Sequence, residues 1–286
     1  VNKSIPPTFI LGVGAQKAGT SWLHAYLSRL PEVDLGFMKE YHVFDQKFVA
    51  DKTPPLRKRI PNWFSSFFPK NDEERQLQFR RDNSKYVDYF KSLVVEGTRV
   101  RITGDITPSY AALPASELAR ISGLLQQAGF RVKVIFLMRD PVERCISANR
   151  MYARHKVREQ PDNPNVEAEI LAKNYMKPRF AIRTRYDLTI ANLEAVFPRE
   201  DIFYAFYEEL FSDSAVARLC EFLNLPFREA NYAEIVNGAK VKSEIPRPLR
   251  MEIRTYYQQV YDSVGSKFGQ DVIDRLWHKN KLEPSS

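Results

Sequence analysis

The apolar run Phe9 to Val13 is short and closed by Gly14, and it gives way to apolar positions at Trp22, Leu23, Tyr26, Leu27 and Leu30. The first pattern predicts a buried parallel strand over Thr8–Gly14, the second an amphipathic helix over Gly19–Arg29. Val100–Gly104 reads as another strand, ended by Asp105 and the turn-forming Thr107-Pro108, and Ser116–Ala128 as a helix with Ser116 as its N-cap. Arg131–Met138 is the clearest buried strand. Pro141, after Arg139-Asp140, is placed to open a helix that runs to about Arg154. Further on, Ile202–Phe206 reads as a strand, and Arg183–Phe197, Ser214–Leu223, Pro248–Lys267 and Gln270–His278 as helices. Residues 36–48 read as a loop or short strand. Residues 50–98 are basic and aromatic with no clean period, apart from one amphipathic turn or helix at Trp63, Phe64, Phe67 and Phe68. Strands alternating with helices predict an α/β fold, a three-layer sandwich whose central parallel sheet is flanked by helices. No repeat or linker divides the chain, so a single domain is expected over residues 1–280, with 281–286 a tail or cloning remnant.

Composition narrows the partners. Against 35 Asp and Glu stand 43 Lys and Arg, a formal net charge of +8 over 286 residues, which favours anionic ligands. The two cysteines, Cys145 and Cys220, form neither a disulfide framework nor a metal-ligand spacing, and they suit a reducing compartment. No run of about 18 apolar residues is present, so no membrane span is expected. The first strand begins by Thr8, which leaves no room for a signal peptide. A cytoplasmic, bacterial-type soluble protein is expected rather than a trimmed Golgi lumenal domain.

Three segments carry candidate chemistry. The loop Gly14-Ala15-Gln16-Lys17-Ala18-Gly19-Thr20-Ser21 lies between a strand and a helix, the layout of a phosphate-binding loop. Its glycines let the backbone approach an anion, the helix start adds a positive dipole end, and Lys17 adds a point charge. Nucleotide triphosphatases place their lysine directly after the second glycine; here that position is Thr20, and Lys17 lies three residues earlier. Arg139 ends a strand at the carboxyl edge of the sheet, where open α/β sheets bind ligands, and Ser147 follows eight residues later in the next helix. Glu40 and His42 are two residues apart, so an extended backbone would point both to one face, where a carboxylate and an imidazole form a base with an orienting partner.

Together these segments resemble the superfamily of sulfotransferases that use 3′-phosphoadenosine-5′-phosphosulfate (PAPS). The resemblance implies that Ala15 to Ser21, with Lys17, Thr20 and Ser21, hold the 5′-phosphosulfate, and that Arg139 and Ser147 hold the 3′-phosphate. Lys39 to Phe44 is similar to the Lys-Glu-x-His-x-Phe element of the carbohydrate, heparan sulfate-type branch, in which Glu40 takes the place of the catalytic base, with His42 second to it. Asn62 to Pro69 and Asp105-Ile106-Thr107-Pro108-Ser109-Tyr110 are similar to further elements of that branch, with Ile106 where the family carries a lysine. The resemblance covers roughly residues 8 to 210, and beyond it the Lys240-Val241-Lys242 loop fits a cover over the nucleotide. It implies transfer of a sulfuryl group from PAPS to a hydroxyl on a saccharide, an acidic one if the basic runs line the cleft. It further implies adenosine 3′,5′-bisphosphate as product. No metal is expected, since no cluster has metal-ligand spacing, and Trp63, Asp105, Tyr110 and Tyr186 are candidate acceptor contacts.

Two rival readings come from the residues. A P-loop kinase-like phosphotransferase requires lysine where Thr20 stands and a bound Mg²⁺. A non-enzymatic binder of nucleic acid or acidic polymers draws on the runs Arg57-Lys58-Arg59, Arg80-Arg81 and Arg154-His155-Lys156, yet charge runs are usually solvated faces. It would need neither a phosphate loop nor a second anion site, so no nucleic-acid partner is expected.

Overall fold

The computed structural model describes residues 6–48, 71–159, 163, 165–232 and 244–277, with backbone alone for 154–159. The strands are β1 (Thr8–Gly14), β2 (Val33–Asp34), β3 (Ile102–Ile106), β4 (Arg131–Met138) and β5 (Ile202–Phe206). They form one parallel sheet in the order β2-β3-β1-β4-β5. β3 and β5 are buried along their whole length and β1 beyond Thr8, as a parallel sheet covered by helices requires. The chain runs from β1 to one edge, returns through β3, and crosses β1 to β4 and β5. The chain therefore adds strands on one side of β1 and then on the other, and the crevice between β1 and β4 is the place where ligands bind in such folds.

The first helix, α1 (Thr20–Leu27), follows β1 through the glycine loop. Two helices, α2 (Asp72–Arg81) and α3 (Asn83–Leu93), precede β3. The connection to β4 is α4 (Ala115–Gln127), and α5 (Pro141–Glu159), α6 (Val166–Asn174), α7 (Pro178–Ala181) and α8 (Tyr186–Glu194) lead to β5. The remainder is α9 (Tyr207–Leu210), α10 (Asp213–Phe222), α11 (Arg247–Tyr256), α12 (Gln258–Phe268) and α13 (Gln270–Trp277).

Several boundaries differ from the sequence reading. The stretch at 72–93 is helical although its pattern gave no period: α2 buries only Phe79 and stands mainly on its caps, with Asn71 accepting from the Glu74 amide at 3.0 Å. α4 starts one residue early and takes Pro114 as its N-cap, without a side-chain cap, which leaves Ser116 in the first turn. The single helix expected over 248–267 is broken at Tyr257, whose hydroxyl donates to the Tyr175 carbonyl at 2.6 Å. β3 runs two residues further than expected, so Asp105 is a strand residue paired with Leu11 and not a terminator. A carboxylate is tolerated there because the Thr107, Tyr110 and Tyr86 hydroxyls donate to it at 2.6, 2.8 and 3.1 Å. Among the described residues, no helix is long and apolar enough to cross a membrane.

Candidate active site

The glycine loop turns sharply at the carboxyl end of β1. Its Ala15 amide donates to the Leu137 carbonyl of β4 at 2.6 Å, which holds the loop against the neighbouring strand. Lys17 has φ 71° and Gly19 φ 91°. A Cβ on Gly19 would lie 2.6 Å from Leu210 Cδ2, so the turn needs glycine both for conformation and for space. Gly19 is also the N-cap of α1; it offers no side-chain cap, and the first turn holds no acidic residue. A helix start with neither a side-chain cap nor a first-turn carboxylate favours an anion at its positive end. Ala15 and Ala18 are fully buried beneath the loop and Thr20 nearly so, while Gln16, Lys17 and Ser21 are half-buried. The Gln16 Oε1 is buried without a partner among the described residues.

Arg139 follows β4 on the strand beside the loop. Its Nη1 donates to the Lys17 carbonyl at 3.2 Å, and its guanidinium carbon sits 4.3 Å from the centre of the Tyr207 ring. Nη2 faces Glu143 at 3.7 Å, and Nε is buried with no partner among the described residues. Asp140 does not pair with Arg139: its Oδ1 accepts from the Val142 amide and the Tyr261 hydroxyl, both at 2.8 Å, and so caps α5. Ser147 is half-buried two turns along that helix.

Glu40 and His42 meet, but not along an extended backbone. His42 has φ 50°, and the turn brings its Nε2 to 3.2 Å from Glu40 Oε2. Lys39 Nζ pairs with the other carboxylate oxygen. On its far side, His42 Nδ1 lies 2.7 Å from Asp45 Oδ2 and 3.2 Å from Ser109 Oγ, whose hydroxyl donates to the same Asp45 oxygen. The sequence reading missed Asp45 and Ser109; the only signal was Asp45 three residues after His42. Backbone bonds fix the turn: the Tyr41 amide donates to Thr107 Oγ1 at 2.9 Å, and Arg80 Nε to the His42 carbonyl at 2.9 Å. The result is a row, Lys39–Glu40–His42–Asp45, of alternating charge.

The row sets its own ionisation. Burial alone would lower the His42 imidazole, but hydrogen bonds to Asp45 and Glu40 and their charges raise it to about 9. Burial alone would raise Glu40, yet the His42 hydrogen bond and the Lys39 and His42 charges outweigh it and hold the carboxyl at about 2. At neutral pH the imidazole is a cation between two carboxylates. His24 on α1 senses the same cluster: burial first, then the Lys39 charge, lower its imidazole, and Glu40 raises it.

The remaining predicted contacts divide. Asp105, Tyr110 and Tyr186 are buried in the core, not exposed to an acceptor, because their polar atoms are spent inside the protein. Tyr110 donates to Asp105, and the Tyr186 hydroxyl donates to the Arg139 carbonyl at 3.0 Å. As placed, they position other residues. Trp63 with the segment 62–69, Lys240 with its loop, the run 57–59, the His155 side chain, His278 and the tail lie outside the described residues.

Comparison with known proteins matches this architecture. The sulfotransferase of Alicyclobacillus acidocaldarius superposes with a TM-score of 0.61 at 20% identity, covering 96% of this chain and 100% of that one. A mouse sulfotransferase complexed with PAP gives 0.48 at 17% identity over 95% and 89% of the two chains. The sulfotransferase domain of the Synechococcus PCC 7002 olefin synthase gives 0.45 at 14% over 90% and 97%. No curated protein matches by sequence. The family described as "Sulfotransferase family" matches residues 7–229, from the start of β1 past β5, and so takes in the glycine loop, the Glu40 turn and Arg139. On that match, spanning well over half of its length, this chain is a member of the sulfotransferase family.

Proposed function

We propose that this chain transfers a sulfuryl group from PAPS to a hydroxyl of a saccharide acceptor, with Glu40 as the general base. One observation carries the reading: an arginine whose buried Nε has no partner among the described residues is hydrogen-bonded to the carbonyl of the loop lysine. Two positive elements meeting at the crevice between β1 and β4 suit a ligand with two separated anionic groups. The uncapped start of α1 and the Gly19 turn fit its 5′ end, and the Arg139 edge with Ser147 fits its 3′-phosphate.

PAPS, when bound, supplies the activated sulfuryl group. Lys17 and the α1 amides stabilise negative charge on the departing phosphate side, donors already in place before any charge develops. Arg139 is preorganised by Tyr207 beneath it and by the Tyr186 hydrogen bond to its carbonyl, so it loses little freedom on binding. Glu40 is charged throughout the working pH range and accepts the acceptor's proton. A carboxylate held at about 2 is a weak base; an acceptor hydroxyl that displaces Lys39 or His42 from Glu40 strengthens it at the moment of use. His42, a cation held by Asp45 and Ser109, orients the carboxylate. The saccharide assignment rests on the likeness of residues 39–44 to the carbohydrate branch.

The test is direct. The protein should bind adenosine 3′,5′-bisphosphate tightly by calorimetry, and it should transfer label from ³⁵S-PAPS to a saccharide in excess EDTA. Absence of nucleotide binding, or transfer that needs Mg²⁺, overturns the reading in favour of a phosphotransferase.

A further inference from the structure

We infer that the acceptor carries an uncharged apolar group, an alkyl or aryl aglycone, that seats in a cavity beside the His42–Asp45 turn. The inference rests on the sulfuryl-transfer reading above. The cavity holds about 270 Å³ and is walled by Phe48, Ala111, Ala112, Ile182 and Leu188. That is just below the ~300–1,000 Å³ of pockets that take whole ligands, so it suits part of one.

Its position ties it to the chemistry. Phe48 closes the turn that begins at His42, with its amide donating to the Asp45 carbonyl at 3.0 Å. Ala111 and Ala112 belong to the 3-10 turn Pro108–Ala112, the same turn that brings Ser109 to His42 and Asp45. The opposite wall is α8, hung from this turn by the Thr189 hydroxyl on the Ala111 carbonyl at 2.9 Å and by Asn192 on the Leu113 carbonyl at 3.2 Å. α8 starts at Tyr186, whose hydroxyl holds the Arg139 carbonyl. The cavity walls are therefore built on the two turns that hold the His42–Asp45–Ser109 cluster.

Its chemistry selects the occupant. The polar residues at the wall are Arg185 and Asn192. Arg185 is bound by Asp187 through Nε at 2.8 Å and Nη2 at 2.6 Å, so its charge is neutralised; the Asn192 amide is committed to Leu113. A sulfate or carboxylate entering here would lose water without gaining a counter-charge. An apolar group gains burial, and Leu188, still 52% exposed at the rim, would be covered by it.

The experiment uses methyl, butyl and hexyl β-glucosides with the full chain saturated with adenosine 3′,5′-bisphosphate. Binding is measured by calorimetry, and ³⁵S-PAPS transfer is measured in parallel. Affinity should rise about fourfold per added methylene until the cavity fills. Leu188→Lys and Ala112→Leu should flatten that dependence while leaving nucleotide binding and the methyl glucoside values unchanged. Binding that is independent of chain length, or a length dependence that survives both substitutions, overturns the inference even if transfer is efficient. Loss of nucleotide binding in the unsubstituted protein instead counts against the sulfuryl-transfer reading. Chain-length-dependent binding without transfer leaves the cavity standing and removes only the reaction.

Discussion

Arg139 Nη1 donates to the backbone carbonyl of Lys17 at 3.2 Å, so the loop after β1 and the end of β4 are joined in one cationic corner. Lys17→Ala and Arg139→Ala should each weaken adenosine 3′,5′-bisphosphate binding by roughly 10–100-fold, the scale of a charged hydrogen bond. The double variant should lose less than the product of the two, because both side chains act on one bound ligand, which can shift once either charge is gone. Arg139→Lys should not restore binding, since a lysine keeps the charge but cannot span Lys17 and a ligand with a planar fork. Calorimetric titration of the four variants decides this; strict additivity would separate the two sites.

Glu40→Gln should reduce kcat by ~10²–10⁴ with little change in nucleotide affinity, the signature of a lost general base. Single-turnover kinetics beside a binding titration separates the two quantities. A variant that keeps most of its rate takes Glu40 out of the base role.

The pH profile tests which state of His42 works. With Glu40 as base and cationic His42 as its partner, kcat/KM should be level around neutrality and fall as pH rises through about 9. Asp45→Asn removes a hydrogen bond and a charge that raise His42, so its alkaline limb should move to lower pH. Activity that instead climbs up to about 9 would make neutral His42 the base. The stability linkage of His42 has the same sign, and that of Glu40 the opposite one. The His42 contribution is complete below its unfolded value near 6.5 and is lost as pH rises through about 9. The Glu40 contribution is complete above 4.5 and is lost as pH falls towards about 2.

Gly19→Ala should destabilise the fold by roughly 1–3 kcal/mol, because a side chain is placed in the left-handed region and against Leu210. Urea denaturation measures it. Leu210→Ala in the same chain should relieve the clash but not the backbone cost, so a full recovery would show that φ contributes nothing.

Asp105→Ala should lower stability and leave acceptor KM unchanged in the protein that folds, since it strands the Tyr86, Tyr110 and Thr107 hydroxyls in the core. Burial raises the Asp105 carboxyl to about 6 against the hydrogen bonds that lower it. Its raised value makes the fold lose stability as pH increases from about 4 to about 6, a slope that the variant should lack in thermal melts. A raised acceptor KM at unchanged stability would return Asp105 to the acceptor site.

The legible part of the fold was that with strong pattern. β1, β4 and β5 fall where the apolar runs placed them, because a strand buried on both faces leaves an unbroken apolar stretch. α2 escaped the reading because it buries a single residue and its N-terminus is marked by the Asn71 cap, whereas α3 carries the helical spacing Tyr86, Val87 and Phe90, hidden within the basic and aromatic stretch. The end of β3 escaped because the pattern treats a carboxylate as a boundary, whereas the hydroxyls of Thr107, Tyr110 and Tyr86 turned onto it make it an interior residue. Glu40 and His42 were named from their motif, but their meeting depends on a left-handed turn at His42 that alternation does not encode.

By itself, the sequence determined the α/β class, the glycine loop between β1 and α1 with its displaced lysine, and the placing of an arginine at a strand end, since each is set by local residue order. Only the tertiary structure decided that Arg139 reaches Lys17, that Asp45 and Ser109 stand behind His42, and that Tyr110 and Tyr186 face inward. Those relationships join residues up to 122 positions apart. They are fixed by strand order and by which polar groups must find partners once buried, which no local pattern records.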